Sequence, residues 1–118
     1  MRGWIGVDID GVLAKYDRWQ GLDVIGEPIP AMVDRVKRWL AEGRDVRVFT
    51  ARASAEEGYL TISLQTIETW CSTHLGCVLP ITCRKDWMMA ELWDDRAIQV
   101  QKNIGNPVSG SVSAIGTI

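Results

Sequence analysis

The chain has no long hydrophobic run, which excludes a membrane-spanning helix. Between Met1-Arg2 and the first apolar stretch there is no room for a secretory leader, so none is expected. Charge of one sign is also lacking. With 13 basic and 15 acidic residues the net charge is −2, which argues against a broad nucleic-acid-binding face but leaves room for a local basic rim. Cysteine is sparse. Three residues, an odd number without tight spacing, read as reduced thiols of a cytoplasmic protein rather than a disulfide framework. No internal repeat is visible. What remains is ordinary for a globular domain: 118 residues, 47% apolar and 24% charged, enough for one hydrophobic core and too few for two.

The most informative stretch is residues 3–13, GWIGVDIDGVL. Trp4, Ile5 and Val7 form a short apolar run with the length of a buried strand, and Asp8 and Asp10 stand at its end, followed by Gly11. Asp and Gly are common turn residues, but two adjacent carboxylates are costly. At ~4 Å and an effective dielectric of ~20 their repulsion is about 4 kcal/mol, which a cation or a shared proton relieves.

Residues 12–29 are irregular and punctuated by Gly21, Gly26 and Pro28. A connection of this length is often functional, and Lys15, Tyr16, Arg18 and Trp19 are placed to form a flap over the aspartates. Pro30 opens a helix whose Met32, Val33, Val36, Trp39 and Leu40 recur at helical spacing, ending at Gly43. Residues 45–49 alternate as a second strand that runs into Thr50-Ala51-Arg52. Ser54 and Glu57 have the spacing of a capping box for a second helix, with Leu60, Leu64, Ile67 and Cys71 as its buried stripe and Gly76 as its stop. A third strand is expected over 78–82, at an edge because of Pro80. Lys85, a short helix over 86–91, Leu92-Trp93 and the pair Asp94-Asp95 follow, then a last short strand over 98–100. Residues 1–100 form the expected core, and 101–118 a Gly/Ser-rich C-terminal tail.

Strands alternating with helices predict an α/β fold, a three-layer sandwich around a parallel sheet. In such sheets ligands bind beyond the carboxyl ends of the strands. Asp8, Thr50, Lys85 and Asp94-Asp95 all fall at such ends, so a carboxylate pair, a hydroxyl, an ammonium and a second carboxylate pair are expected on one face. An oxygen-only set of carboxylates suits Mg²⁺, and the hydroxyl, backbone N–H groups and lysine suit phosphoryl oxygens.

As a set, Asp8-x-Asp10-Gly11, Thr50, Lys85 and Asp94-Asp95 resemble the four ordered motifs of the haloacid dehalogenase superfamily of phosphohydrolases, over residues 3–100. The resemblance implies a Rossmann-like fold with strand order 3-2-1-4-5 and, from the short connections, no cap domain. It implies an Mg²⁺-dependent phosphatase acting on a phosphate monoester, with Asp8 as nucleophile and Asp10 as general acid and base. Thr50, the Ala51 N–H and Lys85 would hold the phosphoryl oxygens. Asp8, the Asp10 carbonyl and Asp94 would hold the metal, with Asp95 as an outer ligand. Val12 replaces the usual Thr, and Lys85 lies unusually close to Asp94, so Arg52 or Arg84 is the reserve if Lys85 falls short.

The compact chain and its Asp94-Asp95-Arg96 run also resemble the phosphatase half of polynucleotide kinase–phosphatases, which makes a nucleotide or polynucleotide 3′-phosphate the alternative substrate. Arg18, Arg52, Arg84 and Arg96 would be its basic rim. A catalytically inactive phosphoryl-binding module is the alternative of another class. A zinc site from Cys71, His74, Cys77 and Cys83 is disfavoured because Cys83 belongs at the opposite end of the sheet from the others. No membrane partner is expected, and a homo-oligomer is compatible with an open site.

Overall fold

The computed structural model describes residues 2–108 and 110. Its core is built on β1 (Trp4–Val7), all four residues of which are buried. β1 lies between two parallel neighbours, β2 (Asp45–Phe49) and β4 (Met89–Trp93), and β2 pairs in turn with β3 (Ile81–Thr82). The order is β3-β2-β1-β4, the expected order without its fifth strand. β3 is a two-residue edge strand, shorter than expected. Pro80 precedes it and contributes only a carbonyl, which accepts from Val48 N–H at 2.8 Å.

α1 (Pro30–Ala41) carries β1 to β2 and buries Met32, Val33 and Val36, the stripe read from the sequence. α2 (Glu57–Leu75) carries β2 to β3 and buries Ser63, Ile67, Trp70, Cys71 and Leu75, with Leu60 and Leu64 only half-buried. The capping box does not form. Glu56 is the N-cap without a side-chain bond, and the Ser54 hydroxyl instead donates to the Ala51 carbonyl at 2.6 Å within a 3₁₀ turn, Ala51–Ser54.

Because β1, β2 and β3 step outward in one direction, right-handed crossovers carry both helices over the same face. Their buried residues join Ile5, Val7, Val46 and Val48 in one core, and α1 packs on α2. The second helical layer expected from the sequence is not formed among the described residues. The helix expected over 86–91 is absent, and β4 begins at Met89. Only six residues, 83–88, link the end of β3 to the start of β4, which lie at opposite edges and opposite ends of the sheet. Extended chain spans at most about 3.6 Å per residue, so this link has no length to spare for a helix.

The link is therefore a strap across the second face. There the Trp4 indole N–H donates to Asp86 at 2.8 Å, the Met88 carbonyl accepts from Trp4 N–H at 2.8 Å, and the Arg47 guanidinium lies 4.6 Å from the Trp4 ring centre. The expected fifth strand also stays out of the sheet. Val100 bridges Pro107, and Val108 N–H donates to the Gln99 carbonyl at 2.7 Å, a local hairpin that straddles the boundary expected at residue 100. Residues 109 and 111–118 of the tail lie outside the described residues. No described helix is long and apolar enough to cross a membrane.

Ile67 is fully buried between helix and sheet, whereas Trp87, at the turn of the strap, is fully exposed. Ile67→Ala should destabilise by about 2–5 kcal/mol and the larger truncation Trp87→Ala by less than about 0.5 kcal/mol, both read by urea unfolding.

Candidate active site at the carboxyl ends of the strands

β1 and β4 deliver the carboxylates. The Asp8 N–H donates to the Trp93 carbonyl at 3.0 Å, which carries the β1–β4 pairing one residue further and sets Asp8 beside Asp94. Asp94 accepts from Arg96 N–H at 2.7 Å, a turn that directs the chain past the sheet end. One oxygen each from Asp8, Asp94 and Asp95 lie within 4.8 Å of one another, a hard-oxygen set that could hold a divalent cation. Gly11 makes room for it. Its φ is +85°, and a Cβ there would collide with the Asp95 carboxylate.

Asp8 shows the cost of this grouping. Burial, with repulsion from Asp94, Asp95 and Asp10, pushes its carboxyl up from 3.8 to about 6, against the pull of the Ile9 N–H bond to Oδ1 at 2.8 Å. The Asp10 carboxylate, expected as general acid and base with its carbonyl rather than its side chain toward the metal, is not part of the acidic group. Both its oxygens are taken by Arg52, from Nε at 2.7 Å and Nη2 at 3.0 Å.

Arg52 is buried, and two further N–H groups go to the carbonyls of Leu22 at 3.2 Å and Val24 at 2.8 Å. The guanidinium also lies 4.9 Å from the Trp19 ring centre, so it pins the connection after β1 over the site. That connection is closed at its base by Lys15 N–H to the Glu27 carbonyl at 2.8 Å. Of the four residues expected in the flap, Tyr16 and Trp19 line the cavity; Lys15 and Arg18 are exposed outside it.

Thr50 ends β2 and caps the 3₁₀ turn, its buried Oγ1 accepting from Arg52 N–H at 3.1 Å. An accepting hydroxyl keeps its own proton to donate. Thr50 and Ala51 line a cavity of about 700 Å³ together with Asp8, Asp10, Asp94 and Asp95, as the sequence reading expects. Lys85 does not line it. Three residues past β3 the strap is already descending, and Asp86 is bonded to Trp4 at the far end of β1, so Lys85 is exposed outside the cavity. Arg84 is outside as well; Arg52 and Arg96 are the cations that line the cavity. The sequence reading held Arg52 only in reserve, although its place two residues after Thr50 was a usable signal. Cys83 and Phe49 also line the cavity and were not read as site residues. Cys83 stands apart from Cys71, which is buried on α2 near its C-terminal end; all three cysteines are free thiols.

No family model matches the chain, and no curated protein matches it. Among solved structures it is similar to a conserved protein from Bacteroides thetaiotaomicron, with a TM-score of 0.55 and 20% identity. The match covers 82% of this chain and 78% of that one. At that identity the likeness is one of fold.

Two outcomes follow from the charges. Because the Asp8 carboxyl sits above its ordinary value, the folded chain holds a proton that the unfolded chain releases, and stability falls as pH rises from 3.8 to about 6. Asp8→Asn should therefore stabilise the metal-free protein at about pH 7 by about 1 kcal/mol, allowing for partial solvent exposure, and leave it unchanged below about pH 4. Urea unfolding in chelator measures both. Arg52→Met should cost about 3 kcal/mol in the same assay, because it strands the Asp10 carboxylate and two carbonyls.

Proposed function

We propose that the chain is a magnesium-dependent phosphatase that hydrolyses a phosphate monoester through an aspartyl-phosphate on Asp8. The observation that carries this reading is the convergence of Asp8, Asp94 and Asp95 at one strand-end cavity with the Thr50 hydroxyl on its wall. Three carboxylates so close form an oxygen set that suits a hard divalent ion, and Asp8, Asp94 and Asp95 would hold it. When bound, Mg²⁺ would favour the ionised form of Asp8 and offset the negative charge of the phosphoryl group.

The chain's own residues supply the rest. Asp8 has Oδ1 tied to Ile9 N–H, which leaves Oδ2 to attack phosphorus as the ester P–O bond breaks. The Thr50 hydroxyl and the Ala51 N–H, which as the first of its turn has no acceptor within that turn, donate to phosphoryl oxygens. Asp10 gives a proton to the leaving oxygen and then takes one from the water that attacks phosphorus and frees Asp8. To do so one Asp10 oxygen must leave the Arg52 pair. Arg52, freed in part, replaces Lys85 as the cation near the phosphoryl group.

The Asp10–Arg52 pair also favours the alternative of an inactive phosphoryl-binding module, since it engages both oxygens of the acid and base. A polynucleotide end is less well supported. Of its four candidate rim arginines only Arg52 and Arg96 line the cavity, and Arg52 is committed to Asp10.

Phosphate release from phenyl phosphate tests the reading. Turnover should need Mg²⁺ and fall at least about 10³-fold in Asp8→Asn, with Asp10→Asn also reducing it. If the folded, Mg²⁺-loaded protein binds beryllofluoride yet turns over no ester, the inactive module is the correct reading.

A further inference from the structure

Beside the acidic cavity lies a second depression of about 580 Å³, and the two share Trp19, Leu22 and Ala55. One wall is the pinned connection after β1, with Trp19, Leu22 and Asp23. The other is the start of α2, with Glu56, Tyr59 and Ile62. Tyr59 and Ile62 are three residues apart and so share a helix face. They remain 60% and 50% exposed, and Trp19 53%. Three large apolar side chains around one groove, opening directly onto a reaction centre, form a surface that an occupant would cover.

Charge narrows the occupant. The charged side chains lining the groove are Asp23 and Glu56; among the described residues no lysine or arginine lines it. A chain of further phosphates would meet only like charge there. A flat, neutral ring would meet the indole of Trp19, held from one side by Arg52, and the phenol ring of Tyr59. We infer that this groove is the leaving-group subsite of the phosphatase proposed above, on which the inference rests, and that it takes an uncharged planar aromatic ring on an ester bearing a single phosphate.

The test separates the groove from the chemistry. In the first arm 2-naphthylmethanol, which carries no phosphate, is titrated against the full chain by saturation-transfer NMR. It should bind about fivefold more tightly than cyclohexylmethanol, lose about fivefold in Tyr59→Ala, and recover in Tyr59→Phe. Among the described residues the Tyr59 side chain makes no hydrogen bond, and it is exposed, so the variant should fold. In the second arm KM for 2-naphthylmethyl phosphate should lie about fivefold below that for cyclohexylmethyl phosphate, an ester of similar leaving-group basicity. Tyr59→Ala and Ile62→Ala should raise the first KM and leave methyl phosphate hydrolysis unchanged.

Binding of naphthylmethanol that is absent, or equal in Tyr59→Ala, overturns the groove whatever the kinetics show. A 3′-phosphorylated oligonucleotide with a lower KM than the naphthylmethyl ester overturns the preference for a single phosphate. An intact first arm with no turnover of any ester overturns the phosphatase reading, and the leaving-group assignment with it.

Discussion

The site depends on one buried guanidinium. Arg52 comes from the turn after β2, yet its donors reach Asp10 at the end of β1 and the carbonyls of Leu22 and Val24 in the connection above. A cation this buried needs partners, and here Asp10 and the Leu22 and Val24 carbonyls take four of its five N–H groups. Its planar fork suits two carboxylate oxygens at once, which a lysine could not match. The ion pair thus fixes the roof over the cavity, the pose of Trp19 and the place of Asp10 together.

Against that attraction stands a repulsion. Asp8, Asp94 and Asp95 are brought together by the parallel pairing of β1 with β4, which is indifferent to the charges that follow the strands. The sheet holds the carboxylates close because its stability comes from elsewhere, from the core shared by β1, β2, α1 and α2. Burial and the neighbouring carboxylates together push the Asp8 carboxyl up toward its neutral form.

The strap over 83–88 accounts for the largest departures from expectation. With six residues to cross the sheet it cannot coil, so among the described residues a single layer of helices forms, Asp86 is drawn to the Trp4 indole, and Lys85 lies outside the site. Trp4 is then covered by the Arg47 guanidinium and the strap instead of a helix. One short connection removes both a layer and a candidate phosphate ligand.

Strands and helices with strong local patterns, and the residues at their ends, could be read from the order of amino acids alone. The apolar run of β1, the helical stripe of α1 and the strand-end placement of Asp8, Thr50, Asp94 and Asp95 were all legible, because each rests on periodicity or on a residue's place within a few positions of a strand end. The order 3-2-1-4 was expected only from the family resemblance. Tertiary structure alone decided the contacts between distant segments: the Arg52–Asp10 pair across 42 residues, the Trp4–Asp86 bond across 82, and the hairpin that takes Val100 out of the sheet. The capping-box spacing of Ser54 and Glu57 was overruled in the same way, since Thr50 and the 3₁₀ turn moved the helix start. Local pattern records which face of an element is apolar, whereas a side chain's partner depends on path length and on which donors remain unmet after the chain has closed.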